Sequence, residues 1–436
     1  MRQDHELRPG SILAFWLPLA GTWLMMAAEA PFLAAVIARL AEPKYNLAAF
    51  GVTYAVAILV ESPVIMILSA STTLVEGPIT LRRLQRFTYA LNCGVTAAMA
   101  LLTLTPAWDL FAFGLIGLEK TVAELTRIAL IISLPWPAAI GYRRFYQGLL
   151  IRGGRTRLVA YGTVLRLAAM AVTATALYFA TSLPGAWVGA AALSVGVLVE
   201  ALAARLMALP VVRAIRGRSG VESGEGTTYR GIVSFYFPLA LTSVIGLAAQ
   251  PMITFFVGHA RFALESLAVL PVVHAISFIF RAIGLSYQEV AIALLARGRA
   301  SFAPVARFAL MLAVAASLGQ GVIAFTPLAE LWLIDLSGLR EELAAFAYVP
   351  LWILTFVPAL SVIQSLQRAM LVQARRTTPV TWGTVVEVAG ILVGLLLTVV
   401  GLELVGATAA AVSFLGGRLA GNLYLVPPCV KVFRRR

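Results

Sequence analysis

Arginines, glutamates and amides that fall inside long apolar runs are the residues of this chain best placed to do chemistry. In the fourth such run, Pro135-Trp136-Pro137 is followed by Tyr142, Arg143, Arg144, Tyr146 and Gln147. Arg143 and Gln147 are four residues apart and share a helix face, whereas two adjacent arginines cannot. The eighth run carries His274, Arg281, Gln288 and Glu289, and the tenth carries Gln364, Gln367 and Arg368. A guanidinium is permanently charged and presents forked donors, which suit carboxylate or phosphate oxygens. Arg143, Arg144, Gln147, Arg281 and Arg368 are therefore the candidate substrate contacts, joined by Gln250, which precedes Pro251.

Three glutamates are the candidate coupling or proton-carrying groups. Glu29 stands before Pro31 in the first run, Glu61 before Ser62-Pro63 in the second, and Glu289 late in the eighth. An ionisable group in a span is costly and faces protein or water. For Glu29 the plainer reading is a hydrogen-bonded carboxyl beside a proline kink. Glu61 and Arg281 lie in equivalent runs of the two halves, and a pair between them would be either a switch or a static register lock. His274 reads as a packing histidine. Arg166 and Glu387 fall on equivalent positions of the two halves, and the expectation is a structural ion pair between them. Glu200, Arg205 and Arg418 complete the intramembrane set. Arginines match or outnumber carboxylates within the runs, and surroundings of that sign attract anions.

The elements that position these groups follow from composition. The chain has 436 residues, 60% of them hydrophobic and 12% charged. Soluble domains carry about 25% charged residues. Continuous apolar runs about twenty residues long span a bilayer as helices. The expected spans are 11–38, 46–75, 84–107, 121–150, 158–182 and 185–212, then 231–258, 264–295, 303–328, 342–373, 380–401 and 404–427. The first half returns as the second about 220 residues later. FWLPLA at Phe15–Ala20 becomes FYFPLA at Phe235–Ala240, Pro31 becomes Pro251, Thr105-Pro106 becomes Thr326-Pro327, and Gly162-Thr163-Val164 becomes Gly383-Thr384-Val385. Six spans per half make the repeats parallel, and a duplicated polytopic protein places its site where the repeats meet. The expected division is an N-terminal lobe at 1–212, a polar Gly/Ser-rich linker at 213–230 and a C-terminal lobe at 231–436.

The net charge of +14 reports topology rather than nucleic-acid binding. Arg82, Arg83 and Arg86, then Arg152, Arg155 and Arg157, then Arg213, Arg216 and Arg218 follow alternate spans, while the loops between them are poor in arginine. The positive-inside rule puts both termini and the linker in the cytoplasm. The two cysteines, Cys93 and Cys429, predict neither a disulfide nor a metal site. No Gly-x-x-x-x-Gly-Lys-Ser/Thr phosphate loop and no His-Glu-x-x-His pattern occurs, so neither ATP hydrolysis nor zinc catalysis is expected, and no cofactor. The first run continues past signal-peptide length and reads as an uncleaved helix. Gly185-x-x-x-Gly189 and Gly417-x-x-x-Gly421 read as close helix packing.

Some stretches match known families. Arg144-Phe-Tyr-Gln-Gly148 through Arg157 resembles the end of the fourth helix and the following loop of multidrug-and-toxin-extrusion (MATE) carriers. Leu17-Pro18-Leu19 and Val405-Gly406-Ala407 are similar as well. The resemblance extends to the wider multidrug/oligosaccharide-lipid/polysaccharide (MOP) flippase superfamily and implies twelve helices in two parallel six-helix bundles. Within it, the second half most resembles the progressive ankylosis (ANK) family, through Ser234–Ala240, Tyr287-Gln288-Glu289-Val290, Phe356-Val357-Pro358 to Thr377, and Val405–Thr408. That resemblance implies export of pyrophosphate-, nucleotide- or citrate-like anions. The chain departs from MATE carriers in having Glu29 where an aspartate is common nearby, and from ANK proteins in its Arg143-Arg144 pair.

The expectation is an all-α polytopic secondary transporter of the inner membrane, with both termini cytoplasmic, that moves a small anion by alternating access. It is not an enzyme. Its expected partners are a small anionic substrate, the lipid bilayer and a coupling proton or cation, with no nucleic acid, in a monomer. The alternatives are a flippase for lipid-linked precursors, whose diphosphate also suits arginine, a MATE-type drug or cation exporter coupled to H+ or Na+, and a non-transporting scaffold or receptor.

Overall fold

A computed structural model describes residues 9–153, 155–217, 228–295, 298–374, 376 and 378–435. The fold is all-α, because a chain this apolar can satisfy its backbone in lipid only within helices. Among the described residues, eleven helices are long and apolar enough to cross a membrane. In chain order these second to twelfth spans are Pro43–Leu74, Pro78–Leu104, Lys120–Arg152, Arg157–Ala180, Gly185–Arg216, Tyr229–Gly258, Ala263–Ile292, Phe302–Phe325, Glu341–Gln373, Thr378–Gly401 and Gly406–Arg434. The first span precedes them as two helices, Pro9–Ala27 and Glu29–Ala38.

Prolines explain the breaks. Pro31 lacks the N–H that would continue the ladder, and the first span breaks at Ala28. The seventh repeats this as Tyr229–Leu247 and Ala249–Gly258, with Pro251 at the equivalent place. The fourth divides into Lys120–Ile132 and Pro135–Arg152, the tenth into Glu341–Leu354 and Val357–Gln373. Arg82 and Arg83, expected in a loop, lie with Arg86 on the first turns of the third span, and Arg213 and Arg216 lie on the last turns of the sixth. Expected loops also hold short helical elements at Ala107–Asp109 and Leu110–Ile116, and at Leu328–Glu330 and Leu331–Leu336. Gly117 and Gly338, at φ 75° and 74°, turn the chain out of them. A Cβ at either glycine would be strained in that left-handed conformation.

The chain forms two compact units, one of Val36–Phe255 and one of residues up to Ala35 with Phe256–Arg436. These units do not follow the division at 212 and 231: the first span packs with helices of the second half, and the seventh with helices of the first. Residues 218–227 of the expected linker lie outside the described residues. The anchors of the exchanged helices are equivalent residues of the repeat. Trp16 Nε1 donates to Ser286 Oγ at 2.8 Å, Ser286 Oγ donates to the Ile283 carbonyl at 2.8 Å, and Trp16 meets Phe308 edge-on at 6.2 Å. Tyr236 Oη donates directly to the Pro63 carbonyl and meets Phe87 edge-on at 5.2 Å. Position 63 corresponds to 283, and 87 to 308.

The small-residue motifs sit at close approaches, as expected. A Cβ at Gly185 would come within 2.9 Å of Ile37, and one at Gly189 within 2.8 Å of Phe50. At Gly417 it would lie 2.6 Å from the Glu387 carbonyl.

Candidate functional site

Each unit holds a buried carboxylate ringed by arginine and amide, on the fourth to sixth spans of one half and the tenth to twelfth of the other. In Val36–Phe255 the centre is Glu200, with no exposed surface. Arg143 Nη1 donates to Glu200 Oε2, Gln147 Nε2 donates to Oε1 at 3.0 Å, and Arg166 Nε stands 3.3 Å from Oε2. The four-residue spacing of Arg143 and Gln147 places both on the face turned to the sixth span, as the sequence implied. Two guanidiniums and an amide compensate a charge that burial alone would make prohibitive.

In the other unit the centre is Glu387. Arg418 Nη2 lies 3.0 Å from its Oε1, Gln364 Nε2 donates to its Oε2 at 2.7 Å, and Arg418 also donates to Gln364 Oε1. Arg368 Nη2 is 4.0 Å from Glu387 Oε2 and donates to Thr384 Oγ1 at 3.2 Å. Both centres thus use one glutamate, two arginines and one glutamine, but on permuted positions. Arg143 corresponds to Gln364, Gln147 to Arg368 and Arg166 to Glu387, while Arg418 lies about one turn from the position equivalent to Glu200. The expected pair between Arg166 and Glu387 is not among the ion pairs found for the described residues. Arg166 takes Glu200 as counterion and Glu387 takes Arg418, each inside its own unit.

Beside each centre stand charged groups with no ion-pair partner within 4.0 Å among the described residues. Arg144 and Glu61 are half-buried, and Arg144 Nε and Glu61 Oε2 have no hydrogen-bond partner among the described residues. Glu61 lies in the field of Arg143, Arg144 and Arg166. Its repeat equivalent is Arg281, so this position also reverses sign between the halves. Arg281 is half-buried, its Nε is unpartnered, and no carboxylate lies within ion-pair distance among the described residues. Its guanidinium instead rests over Phe414, 4.8 Å from the ring centroid, and Arg418 approaches the same ring at 5.6 Å. Each such contact stabilises by about 0.5–2 kcal/mol, which holds the cation without cancelling its charge.

The remaining candidates are more dispersed. Glu29 is half-buried in the first turn of Glu29–Ala38, where a helix N-terminus favours negative charge. Gln250 is half-buried in the first turn of Ala249–Gly258. The backbone at Glu289 is helical, and its side chain lies outside the described residues. His274 packs 6.3 Å from the Phe414 ring, in keeping with a packing histidine. Glu200, Arg418, Gln364 and Phe414 were given no role from sequence. Applying the repeat offset to every intramembrane charge would have shown the permutation, although not the partners.

No family model and no curated protein matches this chain. Solved structures do match in fold. An inward-facing multidrug-resistance MATE family transporter of the MOP superfamily aligns over 95% of this chain and 96% of its own, with a TM-score of 0.70 and 14% identity. The lipid II flippase MurJ, in an inward closed conformation, aligns over 96% and 89%, with a TM-score of 0.71 and 13% identity. A MOP superfamily transporter from Pyrococcus furiosus, described as having a binding pocket of reverse polarity, aligns over 98% and 97%, with a TM-score of 0.62 and 14% identity. At such identities the likeness is one of fold: this is a multi-pass membrane protein with the MATE-like fold of MOP superfamily transporters.

Proposed function

We propose that the chain is a secondary active transporter of the inner membrane, with cytoplasmic termini, that moves a small organic or phosphate-bearing anion by alternating access. The observation that carries this reading is the pair of guanidiniums, Arg144 and Arg281, that have no carboxylate within ion-pair distance among the described residues and only more distant glutamates in their field. Arg143, Arg166, Arg368 and Arg418 already share Glu200 and Glu387, so a citrate-, pyrophosphate- or nucleotide-like anion supplies the missing negative charge. The intramembrane clusters contain twice as many arginines as glutamates, the bias opposite to that needed for a lipophilic cation. Arg144 and Arg281 are the proposed anion contacts, with Arg143, Gln147 and Arg368 holding the adjoining carboxylates. Glu61, open on one oxygen and set among arginines, is the proposed coupling group. Differential binding of substrate or proton would then shift the populations of the two access states.

Proteoliposome flux of radiolabelled citrate, pyrophosphate and ATP, run beside a cationic drug, tests the proposal. Uptake of at least one anion and no saturable uptake of the cation is expected, and the reverse would overturn it. A second reading is favoured by the fold shared with a lipid II flippase: a lipid-linked diphosphate would meet the same guanidiniums. Fluorescent lipid-diphosphate translocation without soluble-anion flux would select that reading.

A further inference from the structure

The sixth span carries an arginine on its lipid face. Arg205 is exposed between Leu202 and Leu206, which are 59% and 56% exposed. On a membrane-crossing helix, a face of exposed leucines faces hydrocarbon. Among the described residues the Arg205 guanidinium makes one hydrogen bond, from Nη1 to Tyr142 Oη at 2.8 Å. Among the described residues no carboxylate lies within ion-pair distance of it. A permanent charge in this position needs a counterion.

Its surroundings are polar and aromatic. Tyr89 stacks on Tyr142 with centroids 5.8 Å apart, and Tyr146 lies 4.9 Å from Tyr142. Gln85 Nε2 donates to Tyr89 Oη at 2.9 Å and reaches Tyr146 Oη at 3.3 Å. On the third span Arg82, Gln85, Arg86 and Tyr89 follow spacings of three and four and so line one helix face. Arg82 and Arg86 are exposed. Tyr89 and Arg205 lie about 16 Å of helical rise from Pro78 and Arg216, the helix ends on the arginine-rich side. A guanidinium at that depth snorkels to the interface.

The internal repeat supplies a control. The positions equivalent to Tyr89, Tyr142 and Arg205 are Leu310, Ile363 and Val426, all exposed large apolar residues. The other half keeps an exposed arginine, Arg307, at the position of Arg86 but builds the positions of Tyr89, Tyr142 and Arg205 from hydrocarbon, so the architecture does not require the two phenols and the arginine there.

We propose that Arg205, Tyr142, Tyr89, Gln85 and Arg86 form a headgroup site for an anionic phospholipid in the leaflet beside the arginine-rich loops. The lipid phosphate is the counterion of Arg205, the phenols and the amide are neutral donors around it, and Arg86 neutralises it from the interface side. Basic recesses between spanning helices suit such headgroups. The site opens to lipid and is separate from the Glu200 centre, so it does not depend on the transport reading.

The test is native mass spectrometry and thermal unfolding of the detergent-solubilised full chain with phosphatidylglycerol, phosphatidylcholine or soluble glycerol phosphate. The expected result is about tenfold more retained phosphatidylglycerol than phosphatidylcholine. A rise in Tm with phosphatidylglycerol alone is also expected. Arg205→Val, which copies the other half, should abolish the preference, and Arg86→Gln, on an exposed position, should weaken it without affecting folding. A wild-type chain without lipid preference, an unchanged preference in Arg86→Gln and a folded Arg205→Val, or equal stabilisation by glycerol phosphate would each overturn the proposal.

Discussion

The behaviour of each intramembrane charge depends on how many partners packing provides. Glu200 has three, and its loss would strand Arg143 and Arg166 in a dry site. Breaking such a buried arrangement costs about 3–5 kcal/mol, so Glu200→Ala should lower the unfolding temperature in detergent by several degrees. Arg281 presents the opposite case, since it has an aromatic support and no carboxylate within ion-pair distance among the described residues. Arg281→Ala should weaken anion binding at least about tenfold, the worth of one charge-assisted contact, while the protein stays monodisperse; unaltered calorimetric binding would remove Arg281 from the site. Glu61 is open on one oxygen, and Glu61→Gln should preserve anion exchange while abolishing the response of flux to an imposed pH gradient. A gradient response equal to wild type would exclude Glu61 as the coupling group.

Helices acquire their shapes from proline and their spacing from glycine. The prolines at 31 and 251 break equivalent spans at equivalent points, so this feature belongs to the repeat rather than to one half. The eleventh and twelfth spans approach closely where Gly417 faces the backbone of Glu387. A methyl group there would sit 2.4 Å from Ile391 Cγ1 as well as 2.6 Å from the Glu387 carbonyl. Gly417→Ala should therefore push the helices apart, disturb the Glu387 centre and cost about 1–3 kcal/mol. Thermal unfolding of that variant beside Gly416→Ala, where a Cβ meets nothing within 4 Å, separates packing from helix propensity.

Across the whole molecule, the exchange of the first and seventh spans makes each half of the chain depend on the other. Neither half contains all the helices of a compact unit. Residues 1–220 and 225–436, co-expressed as separate chains, should co-purify, whereas either expressed alone should aggregate; a monodisperse isolated half would contradict the exchange. Much of this architecture was legible in the sequence. The apolar runs dictate spanning helices, the offset of about 220 reveals the duplication, and the prolines mark the breaks, because each depends on local residues or on counting along the chain. The arginine excess in the spans was equally plain, as was the shared face of Arg143 and Gln147. The short helices at Ala107–Ile116 and Leu328–Leu336 were not, since runs that short look like loops. Tertiary structure alone decided that Arg166 meets Glu200, that Glu387 meets Arg418, that the first span joins the second half, and that Arg205 lies on an exposed face beside Tyr142. These outcomes depend on the rotation of each helix and the choice of its neighbours. Two repeats of like pattern offer nearly equivalent partners, and only the packed side chains distinguish them.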